Sequence, residues 1–178
     1  DYTFLNILGE QLLEIGLEII EKRQEFIDRL NEQINKFELL PNKKINLVYK
    51  PNVEEEQFQQ SIRKKQKQDI LYETTLNGPH KDDFIVFFDE KDARVFASSG
   101  EQRLIVLSLK LALLKVIELK TKRKPILLLD DVLSDLDETR KELFLTKLPN
   151  TNQIIMTSVE KINENKQIEI ININKGVV

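Results

Sequence analysis

The run Pro125-Ile126-Leu127-Leu128-Leu129-Asp130-Asp131-Val132-Leu133-Ser134-Asp135-Leu136-Asp137 sets four aliphatic residues, without a polar break, against two adjacent carboxylates. A continuous apolar run of this length reads as a strand buried on both faces, as in a parallel sheet. Acids at the carboxyl end of such a strand stand where open α/β sheets place their ligand crevice. Paired carboxylates beside a core are costly unless a cation or hydrogen-bond donors meet them. Mg²⁺ with nucleotide phosphates is the usual solution. A plain buried strand ending in an acidic turn would carry the same letters.

Upstream, Ser98-Ser99-Gly100-Glu101-Gln102-Arg103 opens a helix. Ser98 suits an N-cap, and Glu101 three residues later completes a capping box. Leu104, Leu107, Leu111 and Leu114 fall on one face, with Ile105, Leu109 and Val116 elsewhere. A helix apolar nearly all round is buried on several sides. A glycine-containing helix start with serine hydroxyls is also a ready anion site, because its N–H groups and dipole favour negative charge. Downstream, Asp137 is a plausible N-cap for a helix over 138–148. Gln153 to Met156 reads as a strand ending in Thr157-Ser158, and 168–173 as a last short strand.

Before the acidic strand, 84–88 reads as a strand, 89–92 as a hairpin loop and 93–96 as a returning strand. Asn77-Gly78-Pro79-His80 is a turn cluster. His80, the only histidine, lies in that turn, and its position favours a structural or surface role over a catalytic one. Further back, 53–72 is polar and helix-prone, and 45–50 alternates as a short strand. Within 53–72, Arg63, Lys64, Lys65 and Lys67 form the only dense basic run. A solvated face is the ordinary reading of such a run; a contact to DNA phosphates is the sharper one. Residues 3–37 read as one long helix or two consecutive ones, with Leu5, Leu8, Leu12, Ile15 and Ile19 on an apolar face that lapses at Lys22 and Arg23 and resumes at Phe26, Ile27, Leu30, Ile34 and Phe37. A boundary near residue 75 divides a mainly helical lobe, 1–75, from an α/β lobe, 76–178.

The chain has 178 residues, 32% of them charged, and a net charge of −3, so it has no global basic signature for nucleic acid. It has no cysteine, which excludes disulfides and Cys-based zinc sites. No apolar run approaches the roughly 20 residues that span a bilayer. No secretory leader is visible, and a cytoplasmic location is expected. The opening Asp, where a Met would start a protein, suggests a piece of something longer.

Together these blocks resemble the ABC-type ATPase superfamily. Ser98-Ser99-Gly100-Glu101 is similar to its signature motif, and Leu127 to Asp131 to its Walker B strand. Ser134-Asp135-Leu136-Asp137 is similar to its D-loop. Within that superfamily, Gly78-Pro79-His80-Lys81-Asp82-Asp83-Phe84, Ser98 to Arg103 and Leu127 to Asp137, in this order and spacing, resemble the RecF family. The match covers nearly the whole chain but only the carboxyl-terminal half of such a protein. It implies the C-terminal part of an ATPase head, mostly parallel sheet with helices, joined to a helical lobe that is a candidate for dimerisation or DNA contact. It also implies ATP and Mg²⁺ in the intact protein. Asp130 would serve as the metal residue and Asp131 as the catalytic one. Ser98, Ser99, Gly100 and Glu101 would meet ATP in trans, and Ser134 and Asp137 would form the D-loop.

The implied partners are gapped or junction DNA, a second copy of the protein, RecR, RecO and RecA, with no membrane. The departures are specific. No two glycines stand as a Gly-x₄-Gly-Lys-Ser/Thr P-loop requires, so this chain alone is expected not to turn over ATP. Ser99 stands where glycine is common, Asp131 where glutamate is common, and Thr157-Ser158 where transporter ATPases carry a switch histidine. The competing readings are a fragment of another SMC- or Rad50-like ATPase and a non-catalytic dimerisation or DNA-binding module.

Overall fold

The computed structural model describes residues 2–134, 136–159 and 169–171. Helix α1 (Tyr2–Ile34) is continuous over 33 residues, about 50 Å at 1.5 Å per residue. Its second half turns the expected Ile27, Leu30 and Ile34 inward, but in its first half Ile20 is buried while the expected Leu8, Ile15 and Ile19 are exposed. The physical reason is close packing. Helix α2 (Glu55–Tyr72) lies antiparallel against the first half of α1, where glycines rather than bulky residues form the contact. A Cβ at Gly16 would come within 2.5 Å of the Phe58 ring, and one at Gly9 within 3.1 Å of Ile62. Phe58 is fully buried in that notch.

Strand β1 (Ile45–Lys50) pairs antiparallel with β2 (Asp83–Phe88), which pairs in turn with the two-residue β3 (Lys91–Asp92). Two asparagines one turn apart on α1 and just past its end satisfy the outer edge of β1. Asn31 exchanges two hydrogen bonds with Leu47, both of 2.8 Å, and Asn35 does the same with Ile45, at 2.8 and 2.9 Å. An edge with its polar groups filled is no template for stray pairing. The return strand expected over 93–96 is instead a short helix, α3 (Ala93–Phe96). Asp92 caps it by accepting from the Arg94 N–H at 2.8 Å, which turns the chain before a longer ladder can form.

Helix α4 (Ser99–Thr121) is the wall shared by two apolar clusters. Ile105, Ala112 and Val116 face α1, β1 and β2. Leu104, Leu107, Leu111 and Leu114 face β4 (Leu127–Leu129), the loop after it and Phe144 of α5 (Glu138–Lys147). The first cluster and the β1–β2 pairing both cross the division expected near residue 75.

Strands β4 and β5 (Ile154–Met156) pair in parallel, with Leu127 opposite Ile154 and Leu129 opposite Met156. β4 is not buried on both faces. Leu127 and Leu129 point into the core, while Leu128 and Ile155 stand on an open outer face at 66% and 52% exposure. The chain is thus a mixed α/β fold in which a parallel pair and an antiparallel hairpin sheet flank α4, with the α1–α2 pair extending as a helical lobe. Most of the strand expected over 168–173 lies outside the described residues, and residues 169–171 form no strand. Among the described residues no helix is long and apolar enough to cross a membrane.

Candidate functional site

Parallel strands bring their carboxyl ends to one rim. The ladder runs one bond past β5, with the Thr157 N–H donating to the Leu129 carbonyl at 2.9 Å. That sets Thr157 beside the acidic pair. Its hydroxyl donates to Asp130 Oδ1 at 2.6 Å and accepts from the Asp131 N–H at 3.0 Å. Asp130 and Asp131 are both exposed at the rim. Asp131 has φ +44°, in the left-handed region. Aspartate tolerates this conformation better than most residues but still at a cost.

The backbone of Asp131 is also held from α4. Arg103 Nη2 donates to the Asp131 carbonyl at 2.8 Å, and Nε donates to the Val132 carbonyl at 3.3 Å. Arg103 Nη2 lies 3.4 Å from Ser134 Oγ, which itself donates to the Asp131 carbonyl at 3.1 Å. Val132, Leu133 and Leu136 anchor this loop in the core below. Asp135 lies outside the described residues.

The α4 start carries the expected capping box. Ser98 Oγ accepts from the Glu101 N–H at 3.4 Å, and Glu101 Oε2 accepts from the Ser98 N–H at 2.8 Å and its hydroxyl at 2.7 Å. These bonds to Ser98 hold the Glu101 carboxyl below its usual range. Ser98 and Ser99 are exposed, and Gly100 is buried. The burial of Gly100 comes from Arg140, since a Cβ at position 100 would meet Nη1 at 2.5 Å. The same guanidinium pairs with Asp137 Oδ2 at 3.2 Å. Asp137 Oδ1 caps α5 by accepting from the Arg140 N–H at 2.9 Å. The beginnings of α4 and α5 are therefore joined through one side chain.

Among the described residues no three His, Asp or Glu side chains converge on a metal position. The donor set fits a cation that takes one carboxylate and completes its shell with phosphate and water, which is the habit of Mg²⁺. A surface hollow lined by Ile117, Thr121, Arg123, Lys124 and Pro125 lies at the other end of α4 from Ser98 and has no part in this chemistry.

The remaining expected residues lie elsewhere. Arg63, Lys64, Lys65 and Lys67 are exposed on α2. At about 100° per residue, Arg63, Lys64 and Lys67 share a face and Lys65 projects well away from it. His80 is exposed, with Nε2 2.9 Å from the Thr75 carbonyl. In the Gly78 to Phe84 block Gly78 and Pro79 are buried, and the enclosed side chain of Asp82 binds Arg23, Tyr49 and the Asn52 N–H. That block is a structural knot rather than a reactive one.

Sequence reasoning assigned no role to Arg103, Arg140 or Thr157. Arg103 stood within the signature block, and Thr157 stood at the switch-histidine position. Only the parallel pairing shows why that position matters.

No family model matches the chain. It is 46% identical over 180 residues to the DNA replication and repair protein RecF of Acholeplasma laidlawii, covering 99% of this chain and 51% of that protein. It is 36% identical over 191 residues to the RecF protein of Streptococcus agalactiae, covering all of this chain and 52% of that protein. A solved structure described as the recombination mediator protein RecF-ATP in the RecFOR pathway superposes with a TM-score of 0.76 at 33% identity, over 91% of this chain and 46% of that one. The chain spans about half the length of the curated relatives it matches. With 46% identity running the length of this chain, and a fold shared with a solved RecF structure over 91% of it, this chain belongs to the RecF family.

Proposed function

We propose that the chain supplies the signature, Walker B and D-loop elements of a RecF-type DNA recombination and gap-repair ATPase. The observation that carries this reading is the rim. Two adjacent, exposed acids end a parallel strand, with the Asp130 carboxylate held by the Thr157 hydroxyl and the Asp131 backbone by the Arg103 guanidinium. In this reading two protomers sandwich ATP. Ser98 and the Gly100 N–H of one protomer meet the terminal phosphate bound by the other, since a helix start favours an anion. Asp130 would hold Mg²⁺ through water, and Asp131 would orient the attacking water. Mg²⁺, when bound, neutralises the charge that develops on the phosphates. Asp137 and Ser134 carry the state of one site to the other.

ATP then acts chiefly as a dimerisation ligand that closes a clamp on DNA, and slow hydrolysis resets it. The α1–α2 lobe, within residues 1–75, is the candidate for dimer and DNA contact through Arg63, Lys64 and Lys67. RecR, RecO and RecA are the partners the family suggests. The apolar outer face of β4 and β5 is a surface for a further layer, since parallel sheets are ordinarily covered on both sides. The chain by itself has no P-loop and should not turn over ATP.

The test is Asp130→Asn in the full-length protein. DNA binding should persist and ATP turnover should disappear. Turnover at the wild-type rate would overturn the reading.

A further inference from the structure

We infer that Thr157 is the positioning residue for both acids, setting the carboxylate of Asp130 and the backbone of Asp131 with one hydroxyl. This rests on the ATPase reading above and deepens it. The hydroxyl has one proton, and it goes to Asp130 Oδ1 at 2.6 Å. Its lone pair receives the Asp131 N–H at 3.0 Å. Asp130 then keeps Oδ2 for a cation or for that cation's water.

Asp131 is in a backbone conformation disfavoured for a residue with a side chain. It stays there because both of its peptide groups are held, the N–H by Thr157 and the carbonyl by Arg103 and Ser134. Release of the N–H would let the chain relax toward ordinary φ and swing the Asp131 carboxylate off its line. Thr157 itself cannot drift, because its own N–H extends the β4–β5 ladder to Leu129.

The choice of a hydroxyl has a chemical consequence. The hydroxyl orients the Asp130 carboxylate and the Asp131 backbone without itself adding a charge that would compete with the cation. A neutral hydroxyl does not titrate in the working range, so this arm adds no pH dependence, as an imidazole would. Groups that orient a metal-binding side chain carry large effects, typically ~10–100-fold in affinity or activity on removal.

The experiment uses the full-length protein with Thr157→Val, Thr157→Ala, Thr157→Ser and Asp130→Asn. The readouts are Mn²⁺ binding in the presence of ATP, followed by electron paramagnetic resonance, and the half-saturating Mg²⁺ for turnover. Valine keeps the branched shape suited to a strand end, so circular dichroism should match wild type. If it does not, Thr157→Ala replaces it. The hydroxyl-free variants should bind Mn²⁺ about 10-fold more weakly and need correspondingly more Mg²⁺, and Thr157→Ser should restore both. Wild-type Mn²⁺ binding in Thr157→Val and Thr157→Ala, beside loss in Asp130→Asn, would overturn the role of Thr157 alone. A serine variant as weak as valine would overturn it too. Wild-type Mn²⁺ binding and turnover in Asp130→Asn would instead overturn the ATPase reading beneath it.

Discussion

Asp82→Ala should unfasten the joint between the helical lobe and the antiparallel sheet. The Asp82 side chain is 2% exposed. Its Oδ2 accepts from Arg23 Nη1 of α1 at 2.8 Å and from the Tyr49 hydroxyl near the end of β1. Its Oδ1 accepts from the Asn52 N–H at 2.8 Å. Arg23 also donates to the Pro79 carbonyl, so α1, β1 and the turn before β2 all meet at one carboxylate. A hydrogen bond to a charged group contributes about 1.5–3 kcal/mol. The Arg23 side chain is 45% exposed, so its share is screened toward about 1 kcal/mol. The partly buried Tyr49 bond adds about 1–2 kcal/mol and the Asn52 bond about 0.5–1 kcal/mol. The sum is about 3 kcal/mol, at the low end for breaking a buried pair. For a chain of this size that lowers the melting temperature by roughly 6–12 °C. Circular dichroism melts of wild type, Asp82→Ala, Tyr49→Phe and the double variant test the arithmetic. Tyr49→Phe should cost about 1 kcal/mol alone and almost nothing when Asp82→Ala is already present. A shift under about 2 °C for Asp82→Ala, or equal costs for Tyr49→Phe on both backgrounds, would refute the joint.

The same knot should appear in a titration. Burial first, and then the bond to Asp82, push the Tyr49 phenol up to about 12 from its ordinary 10.0. Absorbance at 295 nm should therefore show one late-titrating tyrosine that vanishes in Tyr49→Phe. Because the folded value lies above the unfolded one, the folded state keeps a proton that the unfolded chain has lost. The contribution to stability is full below pH 10 and declines from there to about 12, and Tyr49→Phe should flatten that decline. On α2, replacing Lys64 and Lys67 together should reduce the slope of log affinity for duplex DNA against log salt by about 2, whereas Lys65→Ala should leave it nearly unchanged. A slope indifferent to Lys64 and Lys67 would return that face to plain solvent contact.

What the sequence made legible follows local chemistry. The capping box at Ser98 and Glu101, the Asp137 cap and the two leucine and isoleucine faces of α4 are written within a few residues of where they act, and the structure has them. What was misread depends on partners distant in the chain. In its first half helix α1 carries apolar residues on both sides, and periodicity alone favoured Leu8, Ile15 and Ile19. The buried side is fixed by Phe58, 42 positions beyond Gly16, and glycine leaves no mark in a hydrophobic pattern. The segment 93–96 looked like a strand by composition, until a single cap at Asp92 bent it into a helix.

Thr157 illustrates the same limit at the candidate site. A threonine after three aliphatics says little by itself. Its meaning comes from the parallel register that sets Met156 beside Leu129 and so places a hydroxyl against the acids of the neighbouring strand. A rim built on parallel strands is assembled from the last residues of elements separated by a helix. The acids announce themselves by their cost beside a core, but the neutral residue that aims them does not. Residues just past the ends of strands flanking an acidic strand are therefore where positioning groups should be sought, whatever their own chemistry suggests in isolation.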